Sequence, residues 1–288
     1  MTEEVTNLVE VEYPSDQVLK ERYAQIEDAA RKVIVNRGLV GNPLLGQAFR
    51  GDRWSISTQG YVKGSDVGDF LEHAEDVLKT AEPGLDFIPP ELLHLSFTEV
   101  AFDAKSRKAG GFSGKDVIAY HDAILAGFPR GLGALQLELY KIIPTLDPKL
   151  EGMEGQTGAI VAAFLTGGDN NVFKIREGII SGVKQAGLAT GSNYGGPPRV
   201  LFVTLGRFAQ APTREQSGIP VLNAIDQLNG EITPGIKTNI EKISIIETTP
   251  VDYKAPRGHI EIWPPLALNA ADQIHEPVKL LRPRQRGK

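Results

Sequence analysis

One order of elements occurs twice in this chain, and it restricts the fold more than any single residue does. A strand over Trp54 to Thr58 is followed by a helix from about Ser65 to Thr80, whose Val67, Phe70, Leu71, Ala74 and Leu78 share one side. An apolar strand around His94, a helix from about Lys115 to Phe128 and a strand from Ala134 to Ile143 complete the set. The order then returns at similar spacings: strand Gly158 to Leu165, helix Asn171 to Ala186, strand Val200 to Leu205, helix Gln216 to Leu228 and strand Ile240 to Ile246. A repeat of this kind predicts an α+β fold of two pseudo-symmetric lobes. Each lobe is expected to be a mainly antiparallel sheet with outer helices, and the inner faces to enclose a central cleft. The expected divisions are an N-terminal helical extension over 1–44, a first lobe over 45–150, a second over 151–270 and a basic tail over 271–288. A closing strand, Gly258 to Trp263, is expected within the second sheet, after the turn at Pro256 and Gly258.

Composition narrows the partners. Lysine and arginine number 31 against 36 aspartate and glutamate, a formal charge of -5, so no overall basic field exists to hold long nucleic acid. Absence of cysteine removes disulfides, thiolate metal sites and a thiol nucleophile, and suits a reducing compartment. The acidic start Met1-Thr2-Glu3-Glu4 does not read as a secretory signal, and no window is apolar enough to cross a membrane. The expectation is a cytoplasmic protein with a small-molecule, nucleotide-like substrate, no membrane and no cofactor; the sequence leaves its oligomeric state open. Lys279, Arg282, Arg284, Arg286 and Lys288 form a solvated tail with no assigned role beyond contact with an anionic partner.

Within the first half, His94-Leu95-Ser96-Phe97 concentrates the chemistry. Alternation along a strand puts His94, Ser96 and Thr98 on one face and Leu95 and Phe97 on the other. An imidazole that titrates near neutrality can move a proton, and a hydroxyl beside it can hold an anionic oxygen. A lone strand histidine is more often a hydrogen-bonded core residue, so the rest of the chain must argue for a site. It does so through the repeat, which aligns this strand with Phe202-Val203-Thr204-Leu205 and sets Thr204 against Ser96.

Two stretches, Pro89-Pro90-Glu91-Leu92-Leu93-His94-Leu95-Ser96-Phe97 and Val203-Thr204-Leu205-Gly206-Arg207, resemble the motifs of the two-histidine phosphoesterase superfamily. That superfamily includes 2′-5′ RNA ligase-like and cyclic nucleotide phosphodiesterase-like proteins, and the likeness spans about Leu45 to Leu268. It implies two His-x-Ser/Thr motifs facing each other, with one histidine as base, the other as acid, hydroxyls on the phosphate and no metal. The second histidine position is occupied by Phe202, which can transfer no proton. General acid or base assistance contributes roughly 10²–10⁴-fold, so this replacement weakens hydrolysis without removing binding.

Other residues are candidates for the missing function. His259 and Glu261 form a superficially similar pair on the closing strand and are catalytic candidates beside His94, against the alternative of an exposed histidine after a turn. Arg207 could neutralise an anion, although regular alternation turns it away from Thr204. Tyr194, in the glycine-rich stretch 191–196, is a candidate for stacking on a substrate, and Gln59 and Tyr61 end the first strand, where cleft residues fall. No closely spaced set of His, Asp and Glu suggests a metal site. Three activities fit: a phosphodiesterase-like enzyme using His94, Ser96 and Thr204; the same scaffold turned to isomerisation, cyclisation or elimination of a small metabolite; and a binder without catalysis.

Overall fold

A computed structural model describes residues 13–39, 55–62, 66–102, 114–129, 131–146, 157–188, 199–208, 218–248, 259–261 and 266–267. Helix α1 (Asp16–Arg37) starts at Ser15, whose side chain accepts from the Val18 amide, and ends at Gly38, where φ is 73° and the amide returns to the Ile34 carbonyl. Then follow β1 (Ser55–Tyr61), α2 (Asp66–Ala81), β2 (Leu85–Phe87), a 3₁₀ turn at Pro90–Leu92, β3 (His94–Phe102), α3 (Gly114–Gly127) and β4 (Leu135–Leu146). The second half supplies β5 (Thr157–Leu165), α4 (Asn171–Gln185), β6 (Phe202–Phe208), α5 (Ile219–Glu231), β7 (Lys237–Ile240) and β8 (Lys242–Thr248). Short strands β9 (His259–Glu261) and β10 (Leu266–Ala267) close the sequence of elements.

The strands form one sheet in the order β10-β8-β1-β3-β6-β5-β4-β7, with β2 on β6 and β9 on β8. Every pairing is antiparallel. β7 and β8 are one run of chain interrupted at Glu241; its first part pairs with β4 and its second with β1, so the sheet curls back on itself. The two lobes are therefore not contiguous stretches of chain. β4, from the first half, lies in the sheet of β5, β6 and β7, while β8, from the second, lies beside β1, which separates it from β3. The helices cross over as well: α2 lies against β2, β6 and β7 beside α5, and α4 lies against β3 beside α3. The closing strand, expected in the second sheet, belongs through β8 to the first.

The apolar face of the sheet is the one the outer helices cover. Leu95, Phe97, Val203, Ile160, Leu137, Ile243 and Ile245 are all nearly or fully buried, as are Leu71 and Leu78 of α2 and Ile175, Ile179 and Val183 of α4. Burying such side chains stabilises each by about 1.5–3 kcal/mol. Helices α3 and α4 meet through glycine. A Cβ at Gly178 would strike the Gly127 carbonyl, and one at Gly182 would strike the Ala123 carbonyl and the Gly127 backbone. Backbone cannot yield as a side chain does, so Gly182→Ala is expected to destabilise the protein by roughly 1–3 kcal/mol, read from the urea midpoint.

Two boundaries moved for identifiable reasons. β6 begins at Phe202, not Val200, because the Leu201 amide is taken by the Tyr23 hydroxyl at 3.0 Å and the Val200 carbonyl by Arg176 at 2.7 Å. The strand expected over Ile240 to Ile246 is divided between β7 and β8 because it serves two lobes. Among the described residues no helix is long and apolar enough to cross a membrane.

Candidate active site

The junction of the two lobes is a single paired position, Leu95 on β3 against Val203 on β6. Both side chains are fully buried on the helix-covered face. In an antiparallel pair the register continues symmetrically about that point, which sets His94 beside Thr204 and Ser96 beside Phe202 on the opposite, cleft-lining face. All four are half-buried. Two pairs of residues more than a hundred positions apart in sequence thus share one face.

Two β-bulges alter who shares that face. On β3, Gln59 pairs with Ser96 but Thr58 pairs with Thr98, so Phe97 is an extra residue. Consecutive Thr58 and Gln59 point to opposite faces, and Thr98 therefore sits with Thr58 on the helix side, 1% exposed. The expectation that Thr98 joins His94 and Ser96 is corrected. On β6, Val161 pairs with Thr204, Ile160 with Gly206 and Ala159 with Arg207, leaving Leu205 as the extra residue. Arg207 is thereby returned to the face of Thr204, where regular alternation would have excluded it. Its other neighbour is Asp86 of β2.

His94 is held by its own lead-in. The 3₁₀ turn at Pro90–Leu92 presents the Leu92 carbonyl 2.7 Å from Nδ1 of His94. A carbonyl only accepts, so Nδ1 carries the hydrogen, and Nε2 holds the lone pair of the neutral ring. Tyr61, paired with His94 across the strands, sets its ring edge-on to the imidazole, with centroids 6.2 Å apart. The imidazole is oriented by these two neighbours.

Phe202 is packed, not idle. Its ring lies 5.3 Å from that of Tyr23, which is fully buried on α1 and reaches Tyr140 at 6.2 Å. The Tyr23 hydroxyl donates to the Phe164 carbonyl at 2.7 Å and accepts from the Leu201 amide, so it bridges β5 and the approach to β6. Burial pushes its pKa well above that of a free phenol. Tyr23 is therefore no replacement acid or base for the missing histidine. Beside it, Glu27 of α1 pairs with Lys141 of β4 and Arg31, and Arg31 reaches Asp226 of α5, which fixes α1 across the second lobe.

The remaining candidates lie elsewhere. Glu261 pairs with Ile246 and His259 with Thr248, at the levels of Ser57 and Ser55 on β1. From the level of His94, opposite Tyr61, Ser55 is six residues along the strand, roughly 20 Å at a strand's rise. The structure does not bring His259 or Glu261 to His94. Tyr194 and the basic tail lie outside the described residues. Among the described residues, no group of three or more His, Asp or Glu is placed to hold a metal.

No family model matches the sequence, and no curated protein matches it. Solved structures do. A conserved protein of unknown function, ATU0111 from Agrobacterium tumefaciens, is similar at 12% identity over 83% of this chain and 98% of its own, with a TM-score of 0.56. A phosphoesterase is similar at 9% identity over 76% of this chain and 100% of its own, with a TM-score of 0.44. LigT of E. coli, solved with ATP, also matches at 9% identity over 76% and 100%, with a TM-score of 0.43. The likeness to ATU0111 concerns the fold alone, and the α+β class expected from the sequence, helices on a mainly antiparallel sheet, is the one observed.

Proposed function

We propose that this chain is a two-histidine phosphoesterase-like enzyme working with one histidine, on a small phosphodiester such as a 2′,3′-cyclic or other nucleotide-derived ester. The register about Leu95 and Val203 carries this reading, because it gathers His94, Ser96, Thr204 and, through the Leu205 bulge, Arg207 on one face. Two hydroxyls can donate to phosphoryl oxygens, and a guanidinium matches their charge and geometry. Nε2 of His94 takes a proton from water as that water attacks phosphorus. A new P–O bond forms while the ester P–O bond breaks, and the leaving oxygen collects its proton from solvent, since Phe202 has none to give. Hydrolysis is slower than with two imidazoles, by up to the roughly 10²–10⁴-fold that one proton-transfer partner contributes.

The test is incubation of the purified chain with a panel of 2′,3′-cyclic nucleotides, followed by phosphorus NMR. Cyclic-ester signal converting to monoester is the expected result; an unchanged spectrum for every nucleotide rejects the reading. Arg207→Met is expected to raise KM about tenfold or more with a smaller change in kcat, as loss of a charge-assisted contact to the bound phosphate does.

The packing of Phe202 on Tyr23 favours one alternative, a pocket turned to proton-transfer chemistry on a small metabolite. Phe202→His separates the two. Phosphodiester turnover present in the parent and raised at least tenfold in the variant supports the first reading, whereas turnover confined to Phe202→His supports the second.

A further inference from the structure

The face that carries His94 and Ser96 is closed on one side by the N-terminal helix. From Phe202 its row continues through Ala163 of β5 to Lys141 of β4, and from Thr204 through Val161 to Ile143. Helix α1 lies on this part: Tyr23 packs on Phe202, Glu27 pairs with Lys141, and Ala163, Val161 and Ile143 are all nearly or fully buried. In the other direction the rows run onto β1 and β8. Ser96 is followed by Gln59 and Ser244, and His94 by Tyr61. The pairing of Gln59 with Ser244, carried two residues further along both strands, sets Lys242 opposite Tyr61 on the same face. Gln59 and Ser244 are enclosed, whereas Tyr61 is half-buried and Lys242 exposed.

We infer that Lys242 is a specificity-determining residue that receives a second phosphate, carried on the 5′ oxygen of a 2′,3′-cyclic nucleotide. The inference rests on the phosphate site proposed above. With the cyclic phosphate at Ser96 and Thr204, α1 blocks the rest of the ligand from β5 and β4, so the sugar extends over β1. The 5′ oxygen lies at the far end of the ribose from the 2′,3′ ester and is thereby directed toward β8. Lys242 stands two strands from His94, roughly 10 Å at the usual strand spacing, and its ammonium sits on a flexible four-carbon stem that spans part of that interval. A phosphate monoester carries about −1.5 to −2 charges at neutral pH and presents three acceptor oxygens to a group that only donates. A neutral sugar or base edge offers Lys242 no such charge.

Progress curves for adenosine 2′,3′-cyclic phosphate and for the same ester phosphorylated on its 5′ oxygen, measured on the full chain, on Lys242→Met and on Lys242→Arg, test this. The parent is expected to show a KM about fivefold or more lower for the 5′-phosphorylated ester. Lys242→Met is expected to bring the ratio of the two KM values to about one, and Lys242→Arg, which keeps the charge, to retain the preference. A dinucleotide ending in a 2′,3′-cyclic phosphate carries its internal phosphate on the same oxygen; a lowered KM for it as well identifies a strand end as a source of the second phosphate, and a lowered KM for the mononucleotide alone identifies a free nucleotide. Equal KM values in the parent, or an undiminished ratio in Lys242→Met, overturn the inference while leaving the phosphate site standing. Turnover of neither ester overturns both.

Discussion

His94→Ala is expected to lower turnover of a 2′,3′-cyclic nucleotide by about 10²–10⁴-fold while changing its affinity little. The size follows from position. Nδ1 of His94 is committed to the Leu92 carbonyl, and in the proposed mechanism Nε2 carries the lone pair that deprotonates water. Phe202 occupies the facing motif position and is packed on Tyr23, so among the described residues no second imidazole sits there to share the loss. In the proposed site Ser96, Thr204 and Arg207 remain to hold the phosphate, which is why binding should survive. Parallel progress curves and calorimetry check the two halves separately. Equal loss of affinity and of rate would assign His94 to binding; undiminished turnover would remove it from the chemistry.

Arg176→Met is expected to destabilise the protein by about 2–5 kcal/mol. Below the junction at Leu95 and Val203 the two central strands diverge, and Arg176 of α4 fills the gap. One terminal nitrogen donates to the Ser96 carbonyl and the other to the Val200 carbonyl, each at 2.7 Å, while the guanidinium lies over the Phe173 ring, 5.7 Å from its centroid. Burial pushes its pKa down to about 10, so it stays charged near neutrality. Methionine can fill much of the volume but returns neither hydrogen bond, and two part-buried carbonyls lose this donor. Replacing whole buried ion pairs by apolar groups can be harmless; here the acceptors are backbone and stay. Urea denaturation gives the magnitude. Because Ser96 is one of the two anchors, KM should also rise in the folded variant.

Much of this arrangement was readable in the chain before folding. The doubled order of elements gave the two lobes, and the alignment of Ser96 with Thr204 follows from it, because both hydroxyls lie on the strand that each half places at the centre. Register then converts the alignment into adjacency. What stayed hidden was set by relations no local pattern carries. Exchange of β4 and β8 between lobes depends on which edge each strand meets, and short strands of similar composition do not declare their neighbours. The bulges at Phe97 and Leu205 add one residue to an otherwise regular alternation, and this alone turned Thr98 away and brought Arg207 in. His259 looked like a motif because its spacing to Glu261 is right; its strand simply closes the far side of β8. Tyr23 offered only a helical apolar position, and nothing local said that its ring would cover Phe202. Arg176 likewise reads from sequence as a helix-surface charge, whereas the diverging strands draw it inside.

The most direct measurement is a crystal structure of the chain with a slowly hydrolysed 2′,3′-cyclic phosphorothioate nucleotide. Phosphoryl atoms are expected within hydrogen-bonding distance of the hydroxyls of Ser96 and Thr204 and of the Arg207 guanidinium, with Nε2 of His94 facing phosphorus. A nucleotide seated away from the junction of β3 and β6 would contradict this.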